Sequence, residues 1–477
     1  MKKEMKNIYK KTGLAMAAAG VLFGWAACTE TIEISPDTDK SSLLESAGLY
    51  AWLDVIDNPR MKTVEVRTEP LVMDLQVSMS REHNAIATFS IEPDLSQDLV
   101  DRYNTEHGTE FLALPETALV LEDDGIMRIA PGDRKSYEFS LTVDPQGVDE
   151  GTYLLPVKFS STTEDVIVQD GDAVKYFIVK LLGDIPSTAK ESGIISIAYI
   201  EVNGFNPLNA GEWLMANSGK QFFDIVNFFA ANIKFDSETG SVYLSLNANV
   251  QHILDNRDRY IKPLQDKGMK VCLTVLPDHD GVGFANLPDE DISRFAAEIK
   301  AVVEAYGLDG VDFDDEYAEY TTHDLPGFIY PPSSVPFGKL MYEVKRIMPD
   351  KLLTLYFIGS ATEGFFSDKD GMQPGEFIDY AYYAQYGSWL DVSEWIKGMD
   401  KSQCGPYSWD MNDPGAEWMM TDQVRSGGYG VQVCYDLRAE NDPNVPVGNY
   451  EETLGIISQD IYGEGVVHSG VNHAKDW

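Results

Sequence analysis

The chain has 477 residues, of which 44% are hydrophobic, and a formal net charge of −40 from 37 basic and 77 acidic side chains. This length allows two or three domains with sizeable cores. The charge argues against nucleic acid and anionic membrane surfaces as partners, because both repel an acidic protein.

The first residues predict an export signal. Five lysines fall within Met1–Lys11, and the apolar segment TGLAMAAAGVLFGWAAC follows. This segment is too short and too rich in small residues for a membrane span, so residues 1–27 are interpreted as a signal peptide. Its end at Cys28 is similar to a lipobox, although Trp25 replaces the usual aliphatic residue. We expect Cys28 to be lipidated, residues 28–48 to be a tether, and the exported protein to be lipid-anchored at the outer membrane or cell surface; the membrane contact would be the anchor alone. Plain secretion is the alternative.

Residues 49–183 have the pattern of an all-β domain. Segments of alternating apolar and polar residues are separated by Gly, Pro and Asp turns, and one short helix is predicted at SQDLVDRYNTEHG. The simplest closure is an immunoglobulin-like β-sandwich. Residues 184–193 are interpreted as a linker from their composition. The strand segments are VEVRTEPLVMDLQVSM, AIATFSIEP, KSYEFSLTV, GTYLLPVKFS and AVKYFIVKLL.

In residues 194–477, apolar strands alternate with amphipathic helices. The helical pattern is clearest in residues 288–307, where apolar side chains form one stripe and Gly307 marks the predicted end. Repeated strand–helix units predict an α/β fold of the (β/α)8, or TIM, barrel class. The eight predicted strands are IISIAYIEVN, FDIVNFFAANI, KVCLTVL, GVDFDDE, LLTLYFIG, IDYAYYAQY, CGPYSWD and GYGVQVCYDL.

The fourth of these strands lies in an acidic segment, LDGVDFDDEYAEY, residues 308–320. Side chains alternate along a strand, so Asp312, Asp314 and Glu316 share one face. If that face points into the barrel, the three carboxyl groups converge at the mouth, where barrel active sites lie. Such close like charges cannot all ionise, so at least one proton is retained near neutral pH. A protonated carboxyl beside an ionised one is what cleavage of a glycosidic bond requires.

Two other interpretations of this segment remain open at this point. A carboxylate cluster can bind Ca²⁺ or Mg²⁺, although the segment does not fit the ligand spacing of an EF-hand loop. The acids can also belong to a solvated loop, but Val311 and Phe313 at strand spacing argue against that. The residues therefore favour a glycosidase, with a metal site and structural charge as alternatives.

The segment Asp309–Glu316 resembles the D-G-x-D-x-D-x-E signature of glycoside hydrolase family 18, which contains chitinases and endo-β-N-acetylglucosaminidases. The longer stretch DGVDFDDEYAEY is more similar to endoglycosidase H and the F-type endoglycosidases than to chitinases. The resemblance extends from about Ser192 to the C-terminus. The β-rich domain resembles the one that precedes such barrels in lipoproteins of gut Bacteroidetes. Other similar segments are AYIEVN, FFAANIKFD, NVQHILDNRDRYIKPLQDKGMKV, GVGFANLP, IDYAYYAQYGSW and ISQDIYGEGVV.

This resemblance implies an enzyme that cleaves the N,N′-diacetylchitobiose core of N-linked glycans on host glycoproteins, with high-mannose or hybrid glycans favoured and no cofactor. It implies that Glu316 is the general acid, that Asp314 orients the 2-acetamido group of the substrate, and that Asp312 holds and tunes Asp314. The nucleophile is then the acetamido oxygen, and the anomeric configuration is retained. A chitinase acting on β-1,4-linked N-acetylglucosamine polymer is one alternative. A non-catalytic glycan-binding protein is the other, although such relatives usually lose the acid that is present here.

The resemblance departs most at the sixth strand. The endoglycosidase H group has Trp-Asn-Pro-Tyr-Tyr-Gly where this chain has YYAQYG, residues 382–387. We expect Tyr386 to act in catalysis by holding the acetamido carbonyl, with Gln385 as the second candidate for that contact. Aromatic rings near strand ends either stack on sugars or pack in the core or rim. The remaining candidates for substrate binding are Tyr199, Phe284, Tyr356, Tyr383, Trp389 and Tyr435.

Overall fold

The structure, a computed structural model, describes residues 48–56, 58–59, 61–320, 325–359, 369–383, 385–411, 420–438 and 449–477. The predicted signal peptide, the predicted lipidation site Cys28 and nearly all of the predicted tether lie outside the described residues. The chain divides into two compact units, Met1–Gly183 and Asp184–Trp477. Within the ranges that the structure describes, no helix is both long enough and apolar enough to cross a membrane.

The described part of the first unit contains eleven strands and one α-helix. All five segments predicted as strands contain a strand, and the predicted helix is α1 (Gln97–His107), which ends at Gly108 with a left-handed φ of 66°. The strands are β1 (Tyr50–Val55), β2 (Thr63–Val66), β3 (Leu71–Met79), β4 (Ala87–Pro93), β5 (Leu112–Ala113), β6 (Leu119–Leu121), β7 (Ile126–Ile129), β8 (Phe139–Val143), β9 (Gly151–Ser161), β10 (Ile167–Val168) and β11 (Val174–Leu181).

These strands form two sheets around one hydrophobic core. One sheet has the order β10–β1–β3–β8–β6, and the other has the order β2–β11–β9–β4–β7, with β5 beside β9. Side chains from both sheets, such as Val77 of β3 and Phe89 of β4, belong to the same buried cluster. The alternating pattern of β3 and β4 follows from one face of each strand meeting this core.

The second unit is built on parallel strands, and each of its eight predicted strand segments contains an observed strand. Its described strands are β12 (Ile195–Glu201), β13 (Trp213–Met215), β14 (Ile225–Asp236), β15 (Ser241–Ser245), β16 (Lys270–Pro277), β17 (Gly310–Asp314), β18 (Leu352–Phe357), β19 (Tyr380–Tyr383), β20 (Cys404–Gly405), β21 (Ser408–Asp410), β22 (Val431–Tyr435) and β23 (Val466–His468).

The parallel strands close into a barrel through a divided seventh strand. The order is β20–β19–β18–β17–β16–β14–β12–β22–β21. β20 and β21 are two halves of one predicted strand, interrupted at Pro406 and Tyr407. β20 pairs with β19 and β21 pairs with β22, both in parallel, so the two halves join the ends of the sheet. This confirms the predicted barrel class.

The helical layer is less regular than the predicted eight strand–helix units. The helix predicted at residues 288–307 is present as α5 (Asp289–Ala305), and Gly307 follows it with a φ of 63°. After β12, however, the chain forms only the 3-10 helix Pro207–Glu212, and β13 then pairs with β23 from the C-terminal segment in place of a helix. The described helices are α2 (Ala248–Asp255), α3 (Arg257–Tyr260), α4 (Lys262–Asp266), α5 (Asp289–Ala305), α6 (Ser334–Ile347), α7 (Pro374–Phe377), α8 (Thr421–Ser426) and α9 (Asn449–Tyr462).

The barrel has an inner and an outer core, and strand alternation decides which side chains enter each. Ile197 and Tyr199 of β12 belong to the inner cluster, whereas Ala198 and Ile200 belong to the cluster shared with the helices. On β17, Val311 and Phe313 belong to this outer cluster. Asp312 and Asp314 therefore face the inside of the barrel.

Candidate active site

Asp309 and Gly310 of the acidic segment hold β17 in place. The Asp309 carboxylate accepts hydrogen bonds from Gln265 Nε2 at 2.7 Å and from the Val271 amide at 3.0 Å. These contacts connect the start of β17 to α4 and β16. At Gly310, a Cβ atom would lie 2.3 Å from the backbone oxygen of Leu352, so only glycine permits this close approach to β18.

Asp312 is fully buried and accepts four hydrogen bonds from hydroxyl groups. Burial raises the pKa of Asp312, while the hydroxyl donors oppose that rise because they favour the ionised form. The carboxyl group therefore has a complete set of partners at the floor of the site. The donors are Tyr199 at 2.7 Å, Thr274 at 3.0 Å, Thr354 at 2.6 Å and Tyr382 at 2.6 Å.

Asp314 is equally buried but has no such partners. Its side chain is 1% exposed, and neither carboxyl oxygen has a hydrogen-bond partner of acceptable geometry among the described residues. Burial, followed by the charges of Glu316 and Asp312, places the pKa of Asp314 well above its usual value. The raised pKa favours the protonated form of this carboxyl group, and its polar atoms remain available to a ligand.

Glu316 lies just beyond the end of β17 and is half-buried. Burial raises the pKa of its carboxyl group. The side chains at positions 312, 314 and 316 thus pass from full burial to partial exposure at the mouth of the barrel. The structure brings together the three carboxyl groups that strand alternation predicts, and burial raises the pKa of all three.

Three tyrosines and one glutamate form a chain of contacts along the strand ends near these acids. The Tyr356 hydroxyl donates to the Tyr386 hydroxyl, and the Tyr386 ring stacks on the Tyr435 ring with centroids 4.9 Å apart and an interplanar angle of 20°. Tyr435 in turn donates to Glu201 Oε1 at 3.0 Å. Because Tyr386 accepts from Tyr356, its own O–H is directed elsewhere and can donate to a ligand.

Several residues of this site were not predicted from the sequence. Tyr382 of β19 donates to Asp312, and Glu201 lies two residues beyond Tyr199 on the same face of β12. The alternation of side chains along each strand could have identified these two residues, because it places positions 382 and 201 on the inner face of the barrel. Thr274 and Thr354 gave no comparable signal, since small hydroxyl side chains in buried strands are common in cores.

Two predicted sugar contacts are wrong because their rings lie on the outer side of the barrel. Phe284 is fully buried, and its ring centroid lies 5.0 Å from those of both Phe313 and Phe337. Trp389 packs edge-on against Tyr429 in the same outer cluster, with centroids 5.4 Å apart. Neither ring is placed to stack on a sugar in the mouth.

Three other candidates have roles that differ from sugar stacking. Tyr199 is 2% exposed and binds Asp312, so it is a positioning residue beneath the site. Tyr383, predicted to bind substrate, packs against the outer cluster and donates to Gln385 Oε1 at 3.0 Å. Gln385 is exposed, so its contact with an acetamido group stays a prediction.

The geometry does not favour the metal alternative. Among the ranges with described side chains, no three His, Cys, Asp or Glu residues converge in an arrangement that suits metal ligation. The oxygens of Asp312 already accept four hydroxyl groups. The open polar atoms of Asp314 instead suit a ligand that offers its own hydrogen-bonding groups.

The chain is similar to two curated enzymes. It is 38% identical over 288 residues to endo-β-N-acetylglucosaminidase F1 of Elizabethkingia meningoseptica, covering 60% of this chain and 84% of that protein. It is 35% identical over 289 residues to an endo-β-N-acetylglucosaminidase of a Flavobacterium species, covering 60% of this chain and 86% of that protein. A family model described only as an N-terminal domain matches residues 56–166.

Crystal structures of EndoBT-3987 from Bacteroides thetaiotaomicron are similar over both units. The complex of that protein with a Man5GlcNAc product is 29% identical to this chain, and its complex with a Man9GlcNAc2Asn substrate is 27% identical. Each comparison gives a TM-score of 0.54 and covers 89% of this chain and 97% of that one.

Proposed function

Because this chain belongs to the endo-β-N-acetylglucosaminidases of glycoside hydrolase family 18, we propose that it hydrolyses the N,N′-diacetylchitobiose core of N-linked glycans and prefers high-mannose glycans. The curated relatives carry this activity in their names, and EndoBT-3987 binds a high-mannose substrate and product. The observation that carries the proposal is the buried carboxyl group of Asp314, whose oxygens have no hydrogen-bond partner among the described residues, between buried Asp312 and half-exposed Glu316.

In the first step, the acetamido carbonyl oxygen of the substrate attacks the anomeric carbon while Glu316 gives its proton to the glycosidic oxygen. The bond from the anomeric carbon to that oxygen breaks, and the leaving group departs with one N-acetylglucosamine still attached to asparagine. The ring formed on the substrate is an oxazolinium. The raised pKa of Glu316 keeps the required proton available.

In the second step, water adds to the anomeric carbon of the oxazolinium, and its proton returns to Glu316. The carbon–oxygen bond formed by the acetamido group breaks, which restores that group and retains the anomeric configuration. Asp314 accepts from the acetamido N–H through the carboxyl oxygen that carries no proton, a role that its unoccupied oxygens support. Tyr386 donates to the acetamido carbonyl, and Asp312 places a negative charge beside Asp314.

The direct test is glycan release from a high-mannose glycoprotein such as ribonuclease B, followed by mass spectrometry. We expect one N-acetylglucosamine to remain on the protein and the Glu316→Gln variant to be slower by roughly a hundredfold to ten-thousandfold, because the general acid is lost. Glu304→Gln, which alters an exposed glutamate on α5, is the matched control. Glycan binding by the unaltered protein without release supports a glycan-binding protein instead, and release only from chitin oligomers supports a chitinase.

We further propose that Cys28 is lipidated and that the enzyme is anchored at the cell surface, where host glycoproteins are accessible. The basic and apolar residues before Cys28 support this. Labelling of intact cells is expected to reach the natural protein, whereas Cys28→Ala is expected to release it from the membrane fraction. Labelling only after the outer membrane is broken contradicts the surface location.

We also propose that the first unit is an immunoglobulin-like sandwich that acts as a spacer or docking domain. Its two sheets with one shared core support the fold assignment. Deletion of residues 49–183 is expected to leave kcat on a small glycopeptide unchanged if this unit has no part in substrate binding.

A further inference from the structure

Tyr317, the residue that directly follows Glu316, has an unusual conformation. Its φ is 60°, and two neighbouring residues, His279 and Glu319, have φ values of 58° and 52°. A bulky side chain rarely adopts this left-handed region, and such strain persists only where the surrounding structure imposes it. Despite this constrained backbone, the Tyr317 side chain is 55% exposed.

His279, in the loop after β16, holds Tyr317 in this conformation. Its backbone N–H donates to the Tyr317 carbonyl at 3.0 Å, and its ring centroid lies 5.2 Å from that of Tyr317. The His279 Nδ1 atom is 2.8 Å from Glu319 Oε1. The loops after β16 and β17 are therefore joined, and an aromatic ring is fixed in solvent instead of packing into the protein.

Tyr317 lies at the rim of the barrel mouth, because it directly follows Glu316 beyond the C-terminal end of β17. The charge of Glu316, followed by burial and the charges of Asp314 and Glu201, raises the pKa of Tyr317, as expected for a phenol close to these carboxyl groups.

The strand order separates two sides of the general acid. Tyr386, which is expected to hold the acetamido group of the sugar being cleaved, follows β19 and contacts Tyr356 of β18. Tyr317 is held by His279, which follows β16, the neighbour of β17 on the opposite side from β18. The general acid must reach the glycosidic oxygen, which joins the sugar being cleaved to the leaving group. With the acetamido contact on the β18 and β19 side of Glu316, the leaving group is expected on the Tyr317 side.

We propose that Tyr317 is the platform on which the leaving N-acetylglucosamine, still attached to its asparagine, stacks during cleavage. This inference rests on the proposed function and assigns a specificity-determining contact to the leaving-group side. A fixed, exposed ring presents an apolar face without losing conformational freedom on binding. The ring therefore contributes to binding of the leaving group and not to the chemistry of the oxazolinium.

The test compares two substrates with the same high-mannose glycan. One is a glycopeptide with the natural leaving group, and the other is the preformed glycan oxazoline, which has none. We expect Tyr317→Ala to lower kcat/KM for the glycopeptide by roughly fivefold to tenfold, mainly through KM, because one aromatic contact is lost. Hydrolysis of the oxazoline is expected to stay within about twofold of the unaltered enzyme, because its rate does not include the leaving group.

Tyr317→Gly is a second variant, because Tyr317→Ala could lose activity through backbone strain alone. Glycine adopts the left-handed conformation without strain. This variant is expected to reproduce the loss on the glycopeptide, whereas Tyr317→Phe is expected to retain activity. Tyr137→Ala, at an exposed tyrosine of the first unit, is the control. If the Tyr317 variants have an unchanged kcat/KM for the glycopeptide, or lose activity equally on both substrates, the proposal that Tyr317 binds the leaving group is wrong. An unaltered enzyme that hydrolyses neither substrate contradicts the proposed function itself.

Discussion

The phenol of Tyr382 donates a hydrogen bond of 2.6 Å to Oδ1 of Asp312 at the floor of the barrel. Both side chains are fully buried, and Asn227 Nδ2 donates to the same phenol oxygen at 3.1 Å. The contact joins the sixth strand to the fourth and favours the ionised form of Asp312. That charge in turn helps to keep the proton on Asp314.

Tyr382→Phe is expected to lower kcat by about tenfold to a hundredfold, since a hydrogen bond to a charged group is worth about 1.5–3 kcal/mol. Loss of this donor raises the pKa of Asp312 further, so the acid limb of the pH–rate profile moves to higher pH. Kinetics over a range of pH check both effects. Tyr383→Phe, on the outer face of the same strand, is the control. A lower kcat with an unmoved acid limb contradicts the electrostatic role.

Asp314 is expected to make the stability of the barrel depend on pH. Its folded-state pKa is raised well above 3.8, so the folded protein binds this proton more tightly than the unfolded chain does. The stabilising contribution is therefore present at low pH and is lost as pH rises through the raised pKa. Asp314→Asn removes this dependence, so its stability relative to the unaltered protein is expected to rise with pH above the pKa of an ordinary aspartate. Urea unfolding at several pH values measures the difference in unfolding free energy between the two proteins. A difference that does not change with pH argues against a raised pKa.

Tyr435 is expected to position Tyr386 through ring stacking and to be fixed itself by Glu201. Tyr435→Phe keeps the stacked ring but loses the hydrogen bond, so kcat should fall by only about threefold to tenfold. Tyr435→Ala loses both and should be slower still. Glu201→Gln retains an acceptor and is expected to remain close to the unaltered enzyme. Steady-state kinetics on a high-mannose glycopeptide rank the variants, and equal effects of Phe and Ala at position 435 contradict the stacking role.

Periodicity made most of this architecture predictable. Apolar runs located all eight barrel strands, and the period of two placed Asp312, Asp314 and Glu316 on one face. Patterns within one segment do not reveal the register of the sheet, that is, which residues lie opposite each other on neighbouring strands. Thr274 and Thr354 lie directly opposite Asp312 on the two neighbouring strands, but that pairing exists only once the sheet has formed. Their part in binding this carboxyl group therefore required the structure.

Aromatic residues near strand ends were predicted less well. Phe284 and Trp389 lie in the outer core, while Tyr356 and Tyr435 lie inside the barrel. The length and direction of each loop determine whether an aromatic ring lies inside the barrel or in the outer core. Neither property can be deduced from the composition of the segment. The helical layer departs from the prediction for a related reason, because pairing of β13 with β23 joins segments from opposite ends of the unit.

Phe284→Ala distinguishes core packing from substrate binding. The ring is fully buried between Phe313 and Phe337, so its removal is expected to destabilise the protein by about 3–5 kcal/mol. The KM of the folded variant should remain close to that of the unaltered enzyme. Chemical denaturation and kinetics together check this, and a raised KM with unchanged stability restores the sugar-binding interpretation.

Lys190 lies in the segment interpreted as a linker, yet it forms a buried ion pair. Its Nζ atom is 2.7 Å from Asp224 Oδ2, and the two side chains are only 4% and 8% exposed. Lys190→Met is expected to cost about 3–5 kcal/mol of unfolding free energy, because it leaves a buried charge unpaired. The double variant Lys190→Met, Asp224→Asn should recover part of that loss. Urea unfolding of the unaltered protein, the two single variants and the double variant gives the coupling energy, and additive effects contradict the pairing.

Pairing of β12 with β22 closes the barrel, and this affects the rate of folding. Ile195 pairs with Val431, so the first barrel strand meets its second neighbour only after nearly the whole unit has been synthesised. Such long-range pairing gives a high contact order and slow folding. Until the last strand arrives, β12 presents an open edge on which a growing chain can misassemble.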